Sequence, residues 1–393
     1  MIPTFKDENG FARRDVTLAN WRTAPFSRWA FHNVRDLVPT AAFESRRPEP
    51  EEAIDSRDRL DARLETEIEG AATIRAYLEK AQTDGFLVMR GGRIVLEHYA
   101  PHSGVNARHI VFSISKSLTA LLSGILEAEG VIDPDRPVSH YLPEAKGGAY
   151  GDSRYRDLLD MRISLDFEEA YLDPKSAFAR YRRAMLWNPP MPGETPETLA
   201  AFLLTLKKGD GPHGGPFAYA SPNSDLLGTI IERVTGARFS DLFEALVWQP
   251  LGARNGGYVT VDAIGTPRTA GGMCVTARDL ARIGELIRTG GAAGGRQIVP
   301  EAWITDMNEN GDRQAWQEGR NVDLPNGRYR SQWYQSGEAD GAWCAIGIHG
   351  QWLYVDPSTE TVIVKLSSQD DPLGDEDNHD IFTFFRTLCR MDL

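Results

Sequence analysis

The sequence predicts an α/β protein in which an antiparallel sheet, formed by both chain ends and flanked by helices, is interrupted by a mainly helical inserted domain. Three observations carry this reading. The runs GFLVMR and RIVLEHY flank Gly91-Gly92, a two-glycine turn that tolerates the positive φ of a tight hairpin. Three further β-branched or aromatic segments, GAWCAIGIHG, QWLYVDP and TVIVKLSS, lie far downstream as partners for that hairpin. The chain between the two groups reads mostly as helix.

In chain order, residues 1–52 form a polar, proline-bearing arm with Trp21, Trp29 and Phe31, expected to wrap the body. From Arg57 to Lys80, apolar residues at Leu60, Leu64, Ile68, Ile74 and Leu78 recur at roughly helical spacing, which predicts one helix or two. After the hairpin, helices are expected over Lys116–Glu129, Glu197–Leu206, Asp225–Val234 and Ala277–Arg288. Gly130, Gly236 and Gly290 follow three of them, where a left-handed cap favours glycine. The segment from Asp380 to Leu393 is expected as a final helix on the sheet. The resulting division is an α/β domain from residues 1–110 and 255–393, with a helical domain over 111–254.

Composition narrows the function. The chain has 393 residues, 41% of them hydrophobic and 25% charged, the make-up of a soluble enzyme with a sizeable core. A net charge of -13 without a dense Lys/Arg block argues against nucleic acid or a membrane surface as partner. The first residues lack the apolar core of a secretion signal, so a cytoplasmic address is expected. Cys274, Cys344 and Cys389 are widely spaced, without a CxxC pair, and are expected as buried thiols. Eight scattered histidines contain no HExxH pair, and neither a metal nor another cofactor is expected. A homodimer rests on base rates alone.

The chemistry centres on HIVFSISKSLTALLSGILEAEG, where a strand-like run leads through Ser113 and Lys116 into an amphipathic helix. A spacing of three places the hydroxyl and the amine on one helical face. The helix N-terminus adds unpaired N–H groups that favour an alkoxide and disfavour a charged lysine. S-x-x-K alone is weak, because a chain this long contains about one chance match. Its bland reading is a capping serine beside a solvated lysine. The preceding apolar run argues for burial, and a buried lysine without a use is costly. Tyr219 lies just before a second apolar helix. Lysine and tyrosine both have pKa values near roughly 10, so neither is a base at neutral pH unless a desolvated pocket makes them share a proton.

SISK, YASPNSDLLG, GGMCVTARDLARIGELIRTGG and GIHGQWLYVDP, in this order, resemble the serine β-lactamase and D-alanyl-D-alanine peptidase superfamily, on its class C and family VIII carboxylesterase side. WAFHNVRDLVPTA, DMRISLDFEEAYLDP and IGIHGQ make the chain most similar to the 6-aminohexanoate-dimer hydrolases within it. The resemblance implies a β-lactamase/transpeptidase-like fold, with Ser113 as nucleophile, Lys116 as its proton partner and Tyr219 as third member. It implies an oxyanion hole from the backbone amides of Ser113 and Ile348, and substrate contacts from Tyr171, Ser221 and Gly347. Ser221 stands where the family usually has asparagine. Ala345-Ile346-Gly347 replaces K-T-G, so the glycine matches and the lysine does not.

The implied activity is hydrolysis of small carboxylic esters, with linear amides such as 6-aminohexanoate oligomers next, through a Ser113 acyl-enzyme. Two alternatives stay open: a β-lactamase or D-alanyl-D-alanine peptidase, which the missing lysine argues against, and a catalytically silent ligand sensor. His349 and His109 are expected as structural histidines, because no G-x-S-x-G elbow accompanies them. Cys344 is expected to be inert. The acidic stretch with Asp166, Glu168, Glu169 and Asp173 is either merely solvated or steers an amine-bearing substrate.

Overall fold

The structure, a computed structural model, describes residues 4–46, 48–170, 173–319, 324–373 and 378–393. The two-glycine hairpin forms as expected. Strands Thr83–Arg90 and Arg93–Tyr99 pair antiparallel, with φ of 52° at Gly91 and 77° at Gly92. These strands join a seven-stranded antiparallel sheet. In spatial order it runs Arg328–Arg330, Trp333–Gln335, Trp343–Gly347, Gln351–Asp356, Thr361–Ser367, Thr83–Arg90 and Arg93–Tyr99. The two ends of the chain meet where Thr361–Ser367 pairs with Thr83–Arg90, with Val364 opposite Leu87.

Both faces of this sheet are covered, and its four central strands are buried at nearly every position. Leu87, Met89, Leu353 and Val362 point into one core with Leu280 and Ile283 of helix Ala277–Arg288. Phe86, Val88, Tyr354 and Ile363 point into the other with Phe384, Phe385 and Leu388 of the last helix, Asn378–Arg390. The alternation is the period of two along each strand. Gly284 lets the first helix approach: a Cβ there would meet Val362 Cγ1 at 2.4 Å.

Sequence reasoning erred in two places outside the main sheet. The stretch from Arg57 to Lys80 is helical only over Arg57–Leu60 and Ile74–Lys80. Between them Arg63–Ile68 and Ala71–Thr73 form a two-stranded ribbon. Gly70, at φ 71°, turns the chain back, and the Thr73 hydroxyl accepts from the amide of Ala76 to start the second helix. The N-terminal arm does more than wrap. Its residues Thr40–Phe43 form the edge of a second, four-stranded sheet with Gly257–Thr260, Met273–Val275 and His109–Ile110. That small sheet delivers the chain to the serine. Among the described residues, no helix is long and apolar enough to cross a membrane.

Candidate active site

His109–Ile110 is anchored on Met273–Val275, and the amide of Val111 donates to Met273 O at 2.9 Å. The chain then turns sharply. Phe112 has φ 43°, a left-handed conformation costing a residue with a side chain on the order of 1 kcal/mol. Helix Ile114–Ala128 follows at once, buried on nearly every side, with Ser113 as its N-cap residue. The Ser113 side chain makes no capping hydrogen bond, which removes the bland reading of the serine. Its Oγ lies 2.8 Å from Lys116 Nζ, and Lys116 is buried. Spacing and strand-helix turn thus place the two groups together, as the motif implied.

Tyr219 completes the cluster. It sits one residue before the cap of helix Ser221–Thr235, which starts with Pro222 in its first turn. The Ser113 and Ser221 side chains lie near enough to ease the pKa of its phenol, and the Lys116 ammonium position is 4.9 Å from the centre of its ring. Ser113, Ser221 and Ile348 line one small cavity with Phe112, Phe178 and Trp187, and Arg182 and Arg268 also border it. Neither the amide of Ser113 nor that of Ile348 donates to a turn or loop backbone oxygen among the described residues. Gly347 is packed so closely that a Cβ would stand 2.7 Å from Val111 O and 3.1 Å from Ser113 N. A side chain there would crowd the turn that carries Ser113. Tyr171 lies outside the described residues.

Electrostatics separates the roles of the amine and the phenol. Burial pulls the Lys116 amine down from an ordinary lysine value to about 7, partly opposed by the negative charge of Glu169. Burial, reinforced by Glu169, pushes the Tyr219 hydroxyl far above its usual range. The expected proton-sharing pair is therefore lopsided: a large fraction of lysine is free amine at neutral pH, while tyrosine keeps its proton. Desolvation disfavours the charged form of both groups, and charged means protonated for one and deprotonated for the other.

Several residues that hold this arrangement were not found from sequence. Ala270 O accepts from Lys116 Nζ at 2.7 Å, and the amide of Ala270 donates to Asp225 Oδ1 at 2.8 Å. The other oxygen of Asp225 accepts from Arg268 and from the Tyr181 hydroxyl. A buried ion pair thus positions the backbone carbonyl that aims the lysine. In the acidic stretch, Asp166, Glu168 and Asp173 are exposed, whereas Glu169 turns inward and accepts from the amide of Ser221 at 2.5 Å. Asp225 lies four residues past Ser221, on the inner face of its helix, the one sequence signal that pointed to it.

His349 is buried against Phe31 and Phe112 and donates from Nδ1 to Gln369 O at 2.7 Å. Desolvation lowers its pKa to about 4. The cysteines are free and buried, and burial pushes the Cys344 thiol well above its usual range.

The chain is similar to known proteins over most of its length. The Beta-lactamase family model matches residues 71–385. The chain is 40% identical over 365 residues to 6-aminohexanoate-dimer hydrolase of Paenarthrobacter ureafaciens, covering 92% of this chain and 91% of that protein. Among solved structures, a Bacillus anthracis protein provisionally described as a 6-aminohexanoate-dimer hydrolase superposes with a TM-score of 0.86 at 23% identity, over 95% and 97% of the two chains. A family VIII carboxylesterase gives a TM-score of 0.58 at 17% identity, covering 80% of this chain and 95% of that one. A class C β-lactamase gives 0.59 at 16%, covering 81% and 94%. These structural likenesses concern the fold.

Proposed function

The chain belongs to the β-lactamase family and is a hydrolase of that family, and from this premise we propose that it cleaves small carboxylic esters and linear amides through a covalent Ser113 acyl-enzyme. The observation that carries the reading is the buried Lys116 amine, held 2.8 Å from Ser113 Oγ with its pKa brought to about 7. With one N–H donated to Ala270 O, the free amine turns its lone pair to the serine hydroxyl and takes its proton as Oγ bonds to the substrate carbonyl carbon. The oxyanion that forms is met by the amides of Ser113 and Ile348, each such donor contributing about 10²- to 10³-fold. Collapse breaks the bond to the leaving group. The proton on Lys116 passes to that group through the Tyr219 hydroxyl, which is neutral and lies beside the serine and the lysine. Water then repeats the sequence against the ester and frees Ser113.

The apolar wall of Phe112, Phe178 and Trp187 suits an alkyl acyl chain. The 40% identical relative, whose name gives a linear aminohexanoate dimer as substrate, supports amides of that shape. No lysine stands at Ala345-Ile346-Gly347, so turnover of a cephalosporin is expected to be far slower than that of a p-nitrophenyl ester.

The test is a fluorophosphonate label read by peptide mass, beside turnover of p-nitrophenyl butyrate and of aminohexanoate dimer. Labelling at Ser113 in folded protein, lost together with turnover in Ser113→Ala, is the expected result. A silent sensor would show no adduct. Full turnover by Ser113→Ala would overturn the reading.

A further inference from the structure

We propose that His32, Asp84 and His102 form a binding site for one zinc ion, separate from the serine centre. Their ligand atoms all lie within 4.8 Å of one another. The residues are scattered along the chain, in the turn after helix Ser27–Ala30, in the second position of strand Thr83–Arg90, and in the loop after Arg93–Tyr99. For that reason no spacing motif announces them, and the sequence alone led to an expectation of no metal.

Each group is set up as a ligand. His32 Nδ1 lies 3.0 Å from Arg108 O, and since a carbonyl only accepts, Nδ1 carries the hydrogen. The lone pair is then on Nε2, which is shut off from solvent and has no hydrogen-bond partner. A buried acceptor left unmet is unfavourable, and a cation would remove that cost. Metal-bound histidines commonly donate the other ring N–H to a backbone carbonyl, as His32 does here.

Asp84 is buried at the centre. Its Oδ1 is 2.8 Å from His102 Nε2 and 3.1 Å from Ser368 Oγ, and its Oδ2 is 3.1 Å from His109 Nε2. His109 and Ser368 thus orient the carboxylate from behind. Zinc would replace the proton that now bridges Asp84 and His102. Ligands about 2.0–2.2 Å from zinc stand roughly 3.3 Å apart in a tetrahedron, so the cluster closes with a shift of about 1 Å or slightly more. His102, with its side chain 32% exposed, is free to make that shift. A cleft bordered by Trp29, Gln82, His98 and Ser103 reaches Asp84 and His102, the side from which an ion and a water as fourth ligand would enter. Two imidazoles and one carboxylate suit zinc better than calcium or magnesium, which take oxygen ligands.

The bound ion would staple the N-terminal arm to the main sheet close behind the nucleophile turn, where Phe31 packs on Phe112 at 5.0 Å. Its expected consequence is stability. The experiment is titration of EDTA-stripped, desalted protein with zinc chloride alone, by calorimetry and thermal unfolding, with cobalt as an optical probe. We expect one ion per chain and a melting temperature about 3 °C higher at a hundredfold excess over Kd. Cobalt should give visible absorption of a four-coordinate site. His102→Gln, at an exposed position that leaves the fold intact, should weaken binding at least tenfold, as should His32→Gln. His140→Gln, on an exposed histidine elsewhere, should not. Absence of stoichiometric binding, or equal affinity in His102→Gln and the unaltered protein, would overturn the proposal.

Discussion

Acidification is expected to silence the enzyme through a lysine. Lys116 titrates at about 7 in the folded protein, lowered mainly by burial. At pH 5.5 only about 3% of the amine is free, so kcat/KM for p-nitrophenyl butyrate should fall roughly 15-fold from its pH 7 value and stay nearly flat above pH 8. The same group makes a stability prediction of definite sign. Between about pH 7 and pH 10.5 the unfolded chain holds a proton on this lysine that the folded chain lacks, so stability rises with pH across that window. Below pH 7 the full cost of burying the amine applies, roughly 5 kcal/mol for a pKa displaced this far. Lys116→Met removes that cost but also the hydrogen bond to Ala270 O, leaving a net gain of roughly 2–4 kcal/mol at pH 7 that vanishes near pH 11. Activity should drop about 10²- to 10⁴-fold in the same variant. Urea unfolding and initial rates across pH check both halves. An acid limb at an ordinary carboxylate value, or a Lys116→Met protein with unchanged turnover, would refute the reasoning.

Three further outcomes follow from the geometry around this group. Gly347→Ala places a Cβ 2.7 Å from Val111 O and 3.1 Å from Ser113 N, so the turn bearing Ser113 must move; a drop in kcat of about 10²-fold, with a smaller change in KM, is expected from steady-state rates. Asp225→Asn leaves the buried Arg268 without its counter-charge and loosens Ala270, which should cost about 3–5 kcal/mol in urea unfolding as well as turnover. Glu169→Gln takes away the negative charge that partly opposes the lowering of the lysine pKa; the acid limb of the pH profile should move to lower pH, read in the same ester assay.

The sheet and the cluster of Ser113, Lys116 and Tyr219 were legible because their signals are local or nearly so. A two-glycine turn between apolar runs has few other uses, and the strands downstream share its composition. Ser113 and Lys116 are neighbours on one helix, which makes their contact a matter of spacing. The ribbon at Arg63–Ile68 misled because apolar residues spaced by four fit a helix and a strand with period two equally well. The strand at Thr40–Phe43 was missed because its apolar partner, Gly257–Thr260, is more than half the chain away.

What the sequence by itself determined is which residue types are available for chemistry and which segments become helix or strand, since backbone preference and hydrophobic period act over a few residues. Only the tertiary structure decided which form each group takes. The pKa of Lys116 depends on how completely water is removed, the neutrality of Tyr219 on the same burial reinforced by Glu169, and the aim of the amine on a carbonyl held by Asp225. Those are distances between segments remote in sequence, and electrostatic energies follow distance and burial rather than order along the chain.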